Sequence, residues 1–293
     1  TAKVSEAEVM VEGGIRDVLI TSEIVGEDKQ RRLAYLAKRA DVKVCIDNET
    51  NLNSLSLIAQ EIGSEIGVLI EVDTSMGRAG IRTAEQGVEL AKLAESLASI
   101  KFLGVMSHQT VDGFADKETR FIEGKRYIDK CLAVKTAIED NGIEVTIVSS
   151  GETFSYDVAP QIEGVTEVEG GTYALMSGPT KYMEEFSLAG KVLTTVIDVT
   201  EIEVVIDAGL RCLGGPLGVT PTIEGHDNLA VKEMHDSYSV LKVEGVNPFQ
   251  IGQTLFICTS QQDILVNRWD NFIGVRDGVV EAVWDISARG CHH

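Results

Sequence analysis

The stretch GVLIEVDTSMGRAG (67–80) is a nearly continuous apolar run that turns acidic and then opens into a glycine-rich loop. A strand that is apolar at consecutive positions is covered on both faces. Its polar ending is then the carboxyl end of a parallel strand, where barrel enzymes keep their chemistry. Taken alone, the segment is equally a βα loop closed by an aspartate.

Five more runs repeat the pattern: VLITS (18–22), VKVCIDN (42–48), FLGVMSH (102–108), VTIVSSG (145–151) and VTEVEGG (165–171). Helical patterns lie between most of them. Thr83 and Gln86 are spaced as a capping box ahead of Leu90, Leu93, Ala94 and Leu97. Tyr127, Cys131, Val134 and Ile138 share a helix face before an Asn141-Gly142 stop. Ser5 and Glu8 are spaced as a further box behind an opening strand stub, TAKV. Strands alternating with helices mean parallel strands and crossover connections. The expected fold class is α/β, a (β/α)8-type barrel. Six runs and the stub make seven strands of eight, so the first barrel strand is expected upstream of Thr1.

From Lys191 onward the periodicity changes. KVLTTVIDVTEIEVVIDAG (191–209), SYSVLKVEG (237–245), QTLFICTS (253–260), NFIGVRDG (271–278) and VVEAVWDI (279–286) are β-type segments separated by turn residues. The expected division is a barrel over 1–188 and a smaller all-β domain over 189–293.

The 293 residues carry 26 Lys and Arg against 46 Asp and Glu, a net charge of −20, which repels nucleic acid and anionic membrane. The apolar runs are far shorter than the ~20 residues of a membrane helix. Five scattered cysteines without a CxxC pair indicate a reducing compartment, so the expected location is cytoplasmic. The terminal His292 and His293 are assigned no role.

EVDTSMGRAG (71–80), GVMSHQ (104–109), VTEVEGGTYALM (165–176) and VIDAGLRCLGGP (205–216), in this order, resemble the pyridoxal 5'-phosphate (PLP) enzymes of the alanine racemase barrel type. The similarity is greatest to the branch with D-threonine aldolase, D-serine dehydratase and the 3-hydroxyaspartate lyases, and it continues through VNRWDNFIGVRDGVVEAVWDISARG (266–290). The resemblance implies a PLP barrel followed by a β domain, usually as a homodimer. It also implies a Schiff-base lysine at the end of the first barrel strand. No matching segment is present, and Lys3 is read as a solvated side chain, so the stretch as it stands is expected to be inactive.

The same resemblance assigns cofactor contacts. Arg78 would face the phenolic oxygen, its alternative being an ion pair with Asp73. His108 would lie beneath the pyridine ring, or serve structure only. Ser150, Gly151 and Thr153 with Gly171, Thr172 and Tyr173 would form the phosphate cup. Glu169 falls where alanine racemases place an arginine against the pyridine nitrogen. A carboxylate there holds a proton on the ring and strengthens it as an electron sink, favouring a lyase over a racemase. TSQQDILVN (259–267) lies over the family's extended metal segment. Asp263 fills the second ligand position and Gln261, a poor substitute for imidazole, the first, so a divalent metal site would be weak or empty. His235 is either a supporting residue or a surface one.

The reading is a PLP-dependent lyase that cleaves a β-hydroxy D-amino acid in the manner of D-threonine aldolase, with Asp263 near the hydroxyl. The alternatives are a D-serine or 3-hydroxyaspartate dehydratase, an amino-acid racemase, and a PLP-binding relative without turnover.

Overall fold

Five parallel strands follow the apolar runs, each led by a helix: α1 (Val4–Glu12), β1 (Asp17–Ile20), α2 (Glu27–Ala37), β2 (Asp41–Ile46), α3 (Glu49–Ile62), β3 (Ile66–Glu71), α4 (Ala84–Ser96), β4 (Ile100–Ser107), α5 (Lys117–Asp140) and β5 (Ile147–Ser150). They pair in chain order, β1-β2-β3-β4-β5. The computed structural model describes residues 1–109, 111–214 and 219–293.

Because side chains alternate across a strand, the two faces can be read directly. Val42, Val44 and Ile46 of β2, with Val68 and Ile70 of β3, bury against Leu33 of α2, Leu52 and Leu55 of α3, and Ala91 and Ala94 of α4. The intervening residues form a second cluster, Cys45, Leu69 and Met106 with Leu19, Leu103 and Ile147. These are the inside of a curled half barrel. At its lower end Lys43 is locked between Asp17 and Asp41, at 2.6 and 2.8 Å.

Two expected strands shrink to single-residue pairings at the sheet's edges. Residues 165–171 contribute one bridge, Ser149 to Glu167, with the Ser150 N–H donating to the Glu167 carbonyl. The segment is half-buried or exposed and ends in Gly170-Gly171, so nothing extends the ladder. At the other edge, the Thr1 amine donates to Leu19 O and the Thr21 N–H to Thr1 O. The stub ends there because the Glu6 carboxylate takes the N–H groups of Ala2 and Lys3 and starts α1 at Val4. The Ser5/Glu8 box does not form. Ser5 is buried inside the helix, and Glu8 pairs with Arg32 at 2.6 Å.

The chain divides into two units, Thr1–Gly171 with Cys291–His293, and Thr172–Gly290. The second contains β6 (Lys191–Val199), β7 (Glu203–Ile206), α6 (Leu210–Leu213), β8 (Thr222–Ile223), β9 (Leu229–Met234), β10 (Ser239–Val243), β11 (Thr254–Cys258), α7 (Gln262–Val266), β12 (Asn271–Arg276) and β13 (Val279–Asp285). Six strands form an antiparallel sheet in the order β8-β11-β6-β7-β10-β9 around Val196, Val204, Leu241 and Ile257. β12 and β13 make a separate hairpin. A half barrel of parallel strands followed by an antiparallel β unit is the α/β architecture expected. Among the described residues no helix is long and apolar enough to cross a membrane.

Candidate active site at the mouth of the half barrel

The inner parity of Cys45, Leu69, Met106 and the partly buried Ile147 carries one step further to Asp47, Glu71, His108 and Ser149. The mouth is therefore polar where the floor is apolar. The turn after β1 adds Glu23, and the segment beside β5 adds Glu169.

Glu71 ends β3 and is buried. Its Oε1 accepts from Arg78 Nη2 at 3.1 Å. The loop between them is closed on Asp73, whose Oδ1 takes the Gly77 N–H at 3.0 Å and whose N–H donates to Ile81 O. Gly80 makes this closure possible. Its φ is +99°, and a Cβ there would sit 2.7 Å from the Asp73 nitrogen. Arg78 thus pairs with Glu71, while Asp73 lies 3.6 Å from Arg82.

His108 is half-buried. Its imidazole is held below the ordinary value, by burial first and then by the Arg78 charge, with Glu71 opposing. It is neutral at pH 7. Glu169 accepts from the Ser149 hydroxyl at 2.7 Å. Burial pushes its carboxyl up to about 7 against that hydrogen bond and the Thr1 amine, and the Glu167 and Glu71 charges add to the rise. Burial likewise lifts Glu152 to about 7. Such poised groups cluster where chemistry is done.

Of the residues expected at the phosphate cup, Ser150 turns its hydroxyl to Ser107 at 2.8 Å, and Ser107 in turn contacts Cys131 of α5. Gly151 (φ +108°) bends the chain, and its carbonyl accepts from Glu169 N–H. Thr153 is buried in a 3-10 turn, and Gly171 is exposed. Thr172 and Tyr173 open a 3-10 turn of the second unit. There the Thr172 hydroxyl accepts from Gln262 at 3.1 Å, and Tyr173 lies 6.0 Å from Phe186.

The expected metal segment is not an extended strand. Gln261 caps α7 and Asp263 lies in its first turn, because Gln262–Val266 wind into a helix. A helical turn places residues two apart on different faces. No three His, Cys, Asp or Glu side chains converge on a metal-sized point among the described residues. The donors here do not fit a metal centre. His235 is exposed and stacks on Tyr238 at 4.4 Å.

Glu23, Asp47, Glu71 and Ser149 escaped the sequence reading. Each follows an apolar run at the inner parity, a signal that becomes readable only once the inside face is known.

The alanine racemase N-terminal domain model matches residues 1–179, and the putative serine dehydratase domain model matches 189–275. The chain is 33% identical to the D-threonine aldolase of Arthrobacter sp., over 98% of this chain and 78% of that protein. It is 33% identical to the 3-hydroxy-D-aspartate aldolase of Paracoccus denitrificans, over 98% and 77%. The crystal structure of D-threonine aldolase from Filomicrobium marinum superposes with a TM-score of 0.95 at 29% identity, covering 100% of this chain and 82% of that one.

Proposed function

We propose that this chain, which belongs to the alanine racemase N-terminal-domain family on its D-threonine aldolase branch, is a PLP-dependent lyase that cleaves β-hydroxy D-amino acids. The observation that carries the reading is Glu169, a half-buried carboxyl held by Ser149 at the mouth of the barrel. Its neighbours fit the cofactor. Glu169 suits a pyridine nitrogen, Arg78 a phenolic oxygen, His108 a ring face, and the bend at Gly151 with Thr153 a phosphate. Gly171, Thr172 and Tyr173 are the remaining residues proposed for that cup.

PLP, when bound, withdraws the electrons released at Cα. With PLP bound, Glu169, at about 7, would hold or release a proton at the ring nitrogen. Arg78, anchored on Glu71, would stabilise an anionic phenolic oxygen. His108, being neutral, adds no charge opposite the substrate ammonium. In retro-aldol cleavage the Cα–Cβ bond breaks, the hydroxyl proton is lost to a base, and Cα is reprotonated.

D-Threonine supplied to the full-length protein with PLP is expected to yield glycine and acetaldehyde in equal amounts, scored by coupled aldehyde reduction. Ammonia and 2-oxobutanoate would instead support the dehydratase reading, which the D-threo-3-hydroxyaspartate dehydratase of Delftia sp. among the relatives keeps in view.

The functional unit we infer is a homodimer. Its support is the β12–β13 hairpin, where Ile273, Val275, Val280 and Val283 are each more than half exposed.

A further inference from the structure

Glu23 and Glu71 bring their carboxyl groups into hydrogen-bonding contact at the mouth. Two ionised carboxylates have no hydrogen to share, so the contact requires one proton between them. Glu71 Oε1 is taken by Arg78. Glu71 Oε2 and Glu23 Oε1 are both buried, and no N–H or hydroxyl donor among the described residues reaches either. The shared proton satisfies both at once.

We propose that Glu71 is a positioning residue for Arg78, and that a single proton shared with Glu23 fixes the Glu71 carboxylate in the orientation that receives the guanidinium. The groups around the pair are acidic apart from Arg78, the His108 imidazole on which Glu71 acts, and the Thr1 amine, which acts on Glu169 and Cys45 beside it. Asp47 faces Glu23 from the end of β2, Glu169 acts on Glu71 from the far edge, and the Cys45 thiol below senses Glu23, Glu71 and Glu169. Burial, then the Glu71 contact and charge and the Asp47 charge, hold Glu23 up to about 8 against a hydrogen bond from its own backbone N–H. Above that value Glu23 ionises and repels Glu71, and Arg78 loses its fixed partner. The consequence for the cofactor rests on the function proposed above; the proton itself does not.

The test has one arm for each. Infrared difference spectra at neutral pH between the wild-type chain and E23Q read the carbonyl stretch of a protonated carboxyl, and Glu152 and Glu169 cancel in the subtraction. A band present in the wild type and lost in E23Q is expected; an unchanged band overturns the proposal. The second arm titrates pyridoxine phosphate, which keeps the phenol and phosphate but forms no covalent link to a lysine. E71Q and E23A are expected to weaken its binding about tenfold. E23Q, whose amide can still donate to Glu71, restores wild-type affinity and removes the loss of affinity as pH rises through about 8. Wild-type binding by E71Q overturns the positioning role. A wild-type chain that shows the band but does not bind pyridoxine phosphate would defeat the cofactor reading and leave the shared proton standing.

Discussion

A carboxyl held at about 7 is half-protonated at neutral pH, and Glu169 and Glu152 are both of this kind, with Glu23 higher at about 8. Their ordinary value is 4.5, so the folded state binds protons that the unfolded chain has lost. The stability they contribute is complete below about pH 4.5 and disappears as pH rises through 7 to 8. Asp116 and Asp207 act in the opposite sense. Their hydrogen-bonded carboxylates lie below the ordinary value, so their contribution is present at neutral pH and lost on acidification. Melting temperature is therefore expected to fall from about pH 5 to about pH 8, and E169Q should flatten that slope in thermal melts across the range. In turnover, E169Q should lower the rate of D-threonine cleavage about a hundredfold, read as kcat. Glu169 is legible only through the resemblance, at the position where the racemases place an arginine against the pyridine nitrogen. Ser149 could not be told from Ser150, since a period of two gives alternation without saying which face is inside. The Glu23–Glu71 pair needs the parallel register of three strands before the two residues meet.

Element by element, legibility followed the strength of local signals. The Thr83/Gln86 box reads directly and is seen: the Thr83 hydroxyl accepts from Gln86 N–H, and the Gln86 side chain returns to Thr83 N–H. T83A should cost about 1 kcal/mol in urea unfolding. G80A should cost more, about 1–3 kcal/mol, because a Cβ at that positive φ collides with the closure of the Asp73 loop. The reading of α5 began at Tyr127, yet the helix starts at Lys117 behind an Asp116 cap, because its first turns bury Arg120 and Gly124 in place of an apolar stripe. Lys191–Ile286 read correctly as β-rich because its apolar runs are bounded by turn residues. Within it, α7 is too short for a helical period to declare itself. The strand count of seven rested on edge residues that pair only once, where sequence pattern does not separate a ladder from a single bridge.

For the molecule as a whole, charge and apolar surface oppose each other. At −20, two copies repel. The β12–β13 hairpin stands against that repulsion, since a lone two-stranded hairpin is marginal in water and this one exposes Ile273, Val275, Val280 and Val283. Its geometry is not loose: Phe272 pairs with Trp284, and the Trp284 ring lies against Gly274, leaving no room for a Cβ there. A packed hairpin with uncovered branched side chains is built to be covered. Each such side chain contributes about 1.5–3 kcal/mol when fully buried, enough for several together to outweigh repulsion between surface charges that salt screens within about 10 Å. The homodimer we infer should therefore tighten as ionic strength rises, the reverse of an association held by ion pairs. I273E and V283E should each shift the protein to monomer in sedimentation velocity without changing the melting of the monomeric chain, because both side chains already face solvent within one copy. Unchanged sedimentation in both variants would remove the hairpin from the interface.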